Sequence, residues 1–375
     1  MVWRFKTYRL TIVLKYFLIE KFHSMKKHIK LISVICLALS INTGIAGNPD
    51  RSGQAGASEL LINPFARSSG WGGANIGSSR GLESQYLNIA GLAFTKKTEI
   101  GLTRTNWLQG SGVFINSFGI AQRISETSVF GIGVMSMSFG DIPITTVEQP
   151  DATGEIGRFS PSYMNMSFSY AKAFSNAIYG GINFKIITES IPDAAAQGLA
   201  IDAGIQYVTG AQEQIKFGIS LKNIGSTMKF SGDGLSFRGF VPGAPDQMTV
   251  QQRSEQFELP SLLNIGGSYD FNLVPEVHRL TVAGTFTSNS FTKDQFILGA
   301  EYGLKNYLML RAGYTYENGI NKVAERTTAL TGPCAGFSIQ IPLKKESTSV
   351  FAIDYSYRVS NPFSGSHSIG LRIDL

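Results

Sequence analysis

The stretch LAIDAGIQY, residues 199–207, places apolar side chains at every second position and polar or small side chains between them. Successive side chains of a β-strand point to opposite faces, so this alternation predicts a strand with one apolar face and one polar or small face. The same pattern recurs in KFGISLK, residues 216–222, and in FAIDYSYR, residues 351–358. Alternating strands therefore dominate the chain.

About fourteen segments carry this alternation, and their typical length is roughly 10 to 13 residues. Strands of soluble proteins are most often about 5–6 residues long, whereas tilted membrane-spanning strands need about 9–11. The lengths therefore favour an all-β fold, a transmembrane antiparallel β-barrel of about 14 strands. The predicted strands lie near 98–107, 113–124, 128–139, 162–174, 176–189, 197–208, 214–223, 262–271, 278–287, 294–303, 306–317, 332–341, 349–359 and 366–375.

The connections between these strands support a barrel. The three longest, 140–161, 224–261 and 318–331, all fall on odd-numbered connections and therefore on one side. Outer-membrane barrels have short periplasmic turns and longer outside loops. The C-terminal stretch HSIGLRIDL, residues 367–375, alternates to the last residue, as a strand that closes on the first strand would.

A secreted β-sandwich is the competing architecture. Its strands also alternate, but their apolar faces pack inward against a core. Periodicity alone does not tell whether the apolar face points inward or outward.

The beginning of the chain predicts export. From Met25 the sequence has a basic start, an apolar run from Leu31 to Ile41 and small residues up to Gly47, the order of a secretory signal peptide. We therefore interpret 1–24 as an over-extended start and 25–47 as a cleaved signal peptide. We expect the mature protein in the bacterial outer membrane, with its N- and C-termini in the periplasm.

Charge and residue usage exclude several classes of function. Eight of the 33 Lys and Arg residues and one of the 27 Asp and Glu residues precede residue 48, which leaves 25 basic and 26 acidic residues. A near-neutral mature chain lacks the basic footprint of nucleic-acid binding, so we expect no nucleic-acid partner. His278 and His367 have no ligand spacing to another His or Cys, so no metal site is predicted. No G-x-S-x-G nucleophile motif in a strand-to-helix setting and no P-loop occur, so no catalytic residue or cofactor is predicted either.

A glycine-rich stretch, SSGWGGANIGSSRGLESQYLNIAGLAF, precedes the first predicted strand at residues 68–94. A dinucleotide-binding loop needs a third glycine where Asn75 stands, and no alternation of strands and helices follows. We expect instead that 48–97 forms a plug segment with a small helix inside a barrel of residues 98–375. The residues predicted to lie in the lumen are Trp71, Gly72, Gly73, Asn75, Asn88 and Gly91.

Two further groups of residues carry expectations. Charged residues on the polar faces are expected to point into the lumen and to pair across it. The long connection 224–261 is expected to fold over the barrel mouth or to contact a partner. The first group comprises Lys185, Asp202, Glu301, Arg311 and Asp354, and the second comprises Phe230, Phe237, Phe240 and Val241.

The segment ELLINPFARSSGWGGANIGSSRGLESQYLNIAGLA, residues 59–93, resembles the N-terminal signature of the PorV/PorQ family, a branch of the FadL-like outer-membrane barrels. Later strands, from QGLAIDAGIQY to HSIGLRI, resemble those of the family in the same order, so the resemblance covers about 55–375. Trp71 replaces a small or methionine-like residue, and Asn88-Ile89-Ala90 lacks the family's proline. These departures indicate a paralogue.

The resemblance implies a fourteen-stranded barrel whose N-terminal segment lies in or under the lumen. It also implies a non-enzymatic role in type IX protein secretion. The partners would be outer-membrane lipids and either a large translocon barrel or secreted substrates with C-terminal signal domains. The alternatives are a FadL-like channel for the uptake of hydrophobic small molecules and an enzyme embedded in a barrel.

Overall fold

A computed structural model describes residues 47–151, 156–243, 245–305, 307–343 and 349–375. The interpretation of 1–24 as an over-extended start, and almost all of the predicted signal peptide, therefore lie outside the described residues. The rest of the prediction falls within them except at 152–155, 244, 306 and 344–348.

The described residues form one closed antiparallel barrel in which each strand pairs with its neighbours in the sequence. Strand β14 pairs with β1 from Glu99↔Asp374 to Asn106↔His367, which closes the sheet. The fourteen strands are β1 Thr98–Trp107, β2 Val113–Arg123, β3 Ser128–Ser138, β4 Ser162–Ala173, β5 Ile178–Ile191, β6 Ala194–Thr209, β7 Ile215–Gly225, β8 Leu262–Val274, β9 His278–Asn289, β10 Gln295–Leu304, β11 Leu308–Glu317, β12 Leu330–Pro342, β13 Val350–Ser360 and β14 Ser366–Asp374. The prediction of about 14 strands is confirmed.

The direction of the two faces distinguishes a barrel from a sandwich. In β6 the apolar residues point outward, and the side chains of Leu199 and Ile205 are 62% and 59% exposed. The alternate residues Asp202 and Gln206 are buried on the inside. A sheet with a continuous apolar outer surface is stable only in contact with lipid, so the barrel spans a membrane. The sandwich alternative is thereby excluded.

The two rims of the barrel differ. The connections 139–161, 226–261 and 318–329 are the longest in the described chain and all lie at one rim, here called the long-loop rim. Short turns such as 124–127 and 275–277 lie at the opposite rim, here called the turn rim. The predicted asymmetry of the connections is confirmed.

The plug segment passes lengthwise through the lumen. It starts at the long-loop rim, where Ala55 forms a bridge with Glu258, and reaches the turn rim immediately before β1. Its helices are short: the α-helix α1 Ala66–Ser69 and the 3₁₀ turns Pro49–Arg51, Ser58–Leu61, Gly81–Gln85 and Ile89–Phe94. None of the described helices has the length and hydrophobicity needed to cross a bilayer.

The two ends of the described chain lie at opposite rims, and the side of the membrane on which each terminus lies stays a prediction. The backbone N–H of Leu375 donates to Thr98 O at the turn rim, at 2.8 Å. The first described residues instead lie at the long-loop rim, where the backbone N–H of Asn48 faces Asn289 O at 3.4 Å. An even number of strands returns the barrel itself to one rim, but the plug segment adds one more passage through the lumen.

The outward apolar surface generates a depth-dependent prediction. Ile219 lies at the middle of β7 and is 53% exposed, whereas Leu273 is similarly exposed near the end of β8. Ile219→Arg should lower the free energy of unfolding by about 2–4 kcal/mol, because the charge lies at the bilayer midplane, and Leu273→Arg by about 0–1 kcal/mol. Reversible denaturant unfolding in lipid vesicles measures both values. Equal losses for the two variants would contradict the lipid-facing assignment.

Candidate functional site in the barrel lumen

The plug segment is held by a ring of glycines on the inner wall, here called the glycine belt. These glycines lie beside one another across neighbouring strands, as in the register pairs Gly101↔Gly119 and Gly299↔Gly313. A Cβ atom added to any of them would contact the plug segment. The belt comprises Gly101, Gly119, Gly133, Gly181, Gly204, Gly218, Gly266, Gly299, Gly313 and Gly336.

The contacts at the belt are too close for a side chain. A Cβ atom on Gly313 would lie 2.6 Å from the carbonyl carbon of Trp71, and one on Gly204 would lie 2.1 Å from Asn88 Oδ1. Real Cβ atoms do not approach other heavy atoms this closely, so a larger residue at either position would displace the plug. The plug itself uses glycine for its backbone, since Gly72 and Gly73 have φ values of 70° and 82°.

Side chains of the wall donate hydrogen bonds to carbonyl groups of the plug. Thr285 Oγ1 donates to Ala74 O at 2.8 Å, and Ser220 Oγ donates to Leu87 O at 2.9 Å. Gln206 Nε2 donates to Ser79 O at 3.1 Å. Irregular backbone inside a barrel leaves carbonyl groups without partners unless the wall supplies donors. The wall therefore supplies donors where the plug segment lacks regular structure.

The structure places all of the predicted plug residues inside the barrel. Trp71 packs against Ala74, Ala283 and Ile297. Asn88 Nδ2 donates to Ile205 O of the wall at 3.0 Å, and its Oδ1 accepts from the backbone N–H of Ala90 at 3.2 Å, which caps the last 3₁₀ turn.

The other predicted plug residues fill structural positions as well. Asn75 Nδ2 donates to Glu83 Oε1 at 3.1 Å, within the plug segment. A Cβ atom on Gly91 would lie 2.1 Å from Ser79 O. The glycine-rich stretch thus serves the packing of the plug.

The charged residues predicted to point into the lumen do pair there. Lys185 Nζ lies 2.6 Å from Asp202 Oδ2, and Arg311 Nε lies 2.6 Å from Glu301 Oε2. Asp354 accepts a hydrogen bond from Ser338 Oγ. Because the paired charges neutralise one another locally, they leave little field for a ligand.

A cavity of about 430 Å³ lies between the plug segment and the long-loop rim. Gly72, Gly73, Ile76, Tyr86 and Leu87 of the plug form its floor. Its walls mix apolar side chains with hydroxyl and amide groups, including Trp107, Met137, Leu262, Asn264, Thr287, Ile297 and Thr315. This volume and lining are typical of a site for a small organic ligand.

The charged side chains among the described residues that line the cavity are all basic. Lys222 and Arg358 line it, and none of its described lining residues is acidic. Lys222 Nζ lies 3.6 Å from the centroid of the Tyr86 ring, and Arg358 Cζ lies 4.9 Å from that of Trp107. Among the described residues, neither cation forms an ion pair with a carboxylate. The cavity therefore has the electrostatic character of an anion-binding site with apolar walls.

Sequence reasoning did not single out Lys222, Arg358, Tyr86 or Trp107. The alternation in the sequence does place Lys222 and Arg358 on the inner face of the barrel. It does not show which inward cation has a carboxylate beside it, because that depends on the register of neighbouring strands.

The four aromatic and aliphatic residues predicted to contact a partner from the connection 224–261 fall into two groups. Phe237, Phe240 and Val241 are exposed, and the first two lie in the short strand Ser236–Phe240, which pairs with Gln247–Gln251. Phe230 instead packs against Phe257, with ring centroids 5.7 Å apart. Phe230 therefore belongs to the packing beneath the loop, and the other three belong to its surface.

The barrel is similar to known membrane barrels in fold. Two crystal structures of the Pseudomonas putida toluene transporter TodX align with TM-scores of 0.52 and 0.50, at 12% and 13% identity. Each alignment covers 83% of this chain and 97% of TodX. A Pseudomonas aeruginosa FadL homologue aligns with a TM-score of 0.49, at 13% identity and with the same coverage of both chains.

Sequence comparison adds no closer assignment, since no family model and no curated protein matches the chain. At 12–13% identity the structural likeness to TodX shows a shared fold and not a shared ligand. The narrower resemblance to the PorV/PorQ family stays a prediction.

The glycine belt generates a packing prediction. Gly313→Ala should lower the free energy of unfolding by about 1–3 kcal/mol and expose the plug segment to protease, because the added Cβ overlaps Trp71. Gly303→Ala is the matched control, since a Cβ there meets nothing closer than 3.7 Å. Thermal unfolding and limited proteolysis in detergent measure both effects. An unchanged Gly313→Ala variant would show that the belt does not hold the plug.

Proposed function

We propose that this protein is a non-enzymatic outer-membrane channel that takes up hydrophobic small molecules carrying an anionic group. The observation that carries the proposal is the cavity above the plug, which holds two cations and no acidic lining residue. The same proposal includes that the signal peptide is cleaved and that the long-loop rim lies on the outer side of the membrane.

The chemistry of the cavity defines the substrate class. A buried cation without a counter-ion is costly, and an anionic group of a ligand removes that cost. A carboxylate, sulfonate or phosphate near Lys222 and Arg358 would leave the rest of the ligand along Met137, Leu262 and Ile297. The complementary ligand is thus an amphiphile with one acidic group.

The structural relatives support a transport role. TodX is a toluene transporter, which moves an apolar molecule through a barrel of the same fold. A neutral hydrocarbon would not use the two cations of this cavity. We therefore propose a charged amphiphile rather than a neutral hydrocarbon as the ligand.

The plug segment must move during uptake. It forms the floor of the cavity and lies between the cavity and the turn rim. Its hydrogen bonds to Gln206, Ser220 and Thr285 hold it against strands β6, β7 and β9. Passage of a ligand would break some of these bonds, so the described arrangement corresponds to the closed, loading state.

Binding of a brominated alkyl carboxylate tests this function. Bromine quenches tryptophan, so the ligand should reduce the fluorescence of Trp107, which lines the cavity. Lys222→Met and Arg358→Met should each weaken binding of the carboxylate about tenfold, the value of one lost charge-assisted hydrogen bond. The same variants should bind the matching brominated alcohol as tightly as the unmodified protein does.

The control variant is Lys96→Met, which removes an exposed cation at the turn rim and should leave binding unchanged. Trp107→Phe should abolish most of the quenching. Equal affinity of the wild-type protein for carboxylate and alcohol would contradict an anionic substrate. Absence of quenching by either ligand would contradict the cavity as a binding site.

A second candidate function is the secretion role implied by the PorV/PorQ resemblance. It is favoured by the paired strands Ser236–Phe240 and Gln247–Gln251, which display Phe240 and Met248 at 74% and 52% exposure. Exposed apolar side chains on a long loop are typical of a contact surface for another protein. The partner would be a large translocon barrel or a secreted substrate with a C-terminal signal domain.

Purification of the tagged protein in mild detergent, from cells with active type IX secretion, tests this second function. Phe240→Ser combined with Met248→Ser should lose such a partner, identified by mass spectrometry, because the apolar contact is removed. Ile144→Ser in the connection 139–161 is the matched control and should retain the partner. Recovery of the wild-type protein alone would count against a secretion role.

A further inference from the structure

Two buried carboxyl groups meet beneath the long-loop rim, away from the cations of the large cavity. Glu59 lies in the 3₁₀ turn Ser58–Leu61 of the plug segment, and Glu189 points inward from β5. Their side chains are within hydrogen-bonding reach of each other, and the backbone N–H of Ala57 donates to Glu189. The residues are only 2% and 5% exposed, so solvent does not separate the two like charges.

Several side-chain oxygens at this place have no hydrogen-bond partner among the described residues. Both carboxylate oxygens of Glu59 lack a hydrogen-bond partner there, and so does Oδ1 of Asn165, which is 94% buried. Asn165 lies on β4 beside β5 and also faces Glu59. Buried polar atoms are almost always paired, so three unpaired oxygens at one place indicate a missing ligand.

Lys185 of the wall does not neutralise these carboxylates. Lys185 lines the small cavity of about 50 Å³ that Glu59 and Asn165 also line. Its ammonium group, however, is engaged by Asp202 at 2.6 Å and by Asn223 Oδ1 at 2.8 Å. Burial, together with the charge of Glu189, raises the pKa of Glu59 to about 8, which shows how poorly a second negative charge is compensated.

We propose that Glu59, Glu189 and Asn165 form a binding site for a hard divalent cation such as Ca²⁺. All of the available ligand atoms are oxygens, from two carboxylates and one amide, which is the ligand set that Ca²⁺ prefers. The adjoining small cavity has room for water molecules that complete the coordination. The inference is independent of the ligand proposed for the large cavity.

The position of the site gives the cation a structural role. Glu59 belongs to the plug segment and Glu189 to the wall, so one ion joins the two. The neighbouring residues Leu61, Ile62 and Asn63 line the large cavity. Leu60 packs against Ile187 of β5 on the other side of the turn. Binding of the cation would therefore fix the part of the plug segment that borders the entrance of the large cavity.

Terbium luminescence tests the site in the purified full-length barrel in detergent. Tyr163 lies close to both carboxylates and can transfer excitation energy to a bound Tb³⁺ ion. We expect saturable Tb³⁺ emission that Ca²⁺ displaces with a midpoint of ~10⁻⁴–10⁻³ M, the range of extracellular calcium modules. Glu59→Gln and Glu189→Gln should each weaken Tb³⁺ binding at least about tenfold.

The matched control is Glu258→Gln, which removes an exposed carboxylate at the same rim and should leave the emission unchanged. Emission that is the same in wild type and in the Glu59→Gln, Glu189→Gln double variant would overturn the proposal. Heat-modifiable migration on a gel verifies that each variant is folded.

Discussion

The close approach between the plug backbone and the inner wall is the contact on which the rest of the structure depends. At Gly313 and Gly204 the wall has no space for even a methyl group, because Trp71 and Asn88 occupy it. Glycine within a strand is unfavourable by roughly 0.5–1 kcal/mol relative to alanine, so a ring of such residues weakens the isolated sheet. The packing and hydrogen bonding of the plug segment offset that cost. The stability of the barrel therefore depends on its contacts with the plug segment.

The position of the plug segment also decides where the lumen can bind anything. Below the long-loop rim it leaves a cavity of about 430 Å³, and it turns Tyr86 and Leu87 towards that space. Elsewhere the inward charges face one another, as Lys185 faces Asp202. Lys222 and Arg358 differ from these pairs because they line the cavity and form no ion pair with a carboxylate of the described residues. The same charge pattern that neutralises most of the wall thus leaves a positive site beside the apolar space.

Much of the fold follows from local sequence. Strand number, approximate strand bounds and the side of the long connections were predicted from alternation and spacing. The predictions succeed because alternation is a property of the extended backbone and needs no knowledge of distant residues. The path of the plug segment was not predicted in full. The glycine-rich stretch indicated a compact segment, but nothing local shows that it enters at the long-loop rim.

The candidate site was predicted less completely than the fold. The alternation assigns Lys222, Glu189 and Asn165 to inner faces, yet each acquires its role from a residue far away in the sequence. Lys222 meets Tyr86 of the plug, and Glu189 meets Glu59. Such contacts arise from strand register and from the path of a separate segment, which short-range patterns do not encode.

The sequence by itself therefore determined the strands, their two faces and the asymmetry of the rims, because these depend on neighbouring residues and on hydrophobicity. Only the tertiary structure decided that the apolar face is the outer one. It also decided which inward charges are paired, and that the glycines of the strands pack against the plug segment. The physical reason is that burial and electrostatic pairing are set by distances between segments, and those distances exist only once the barrel has closed around its plug.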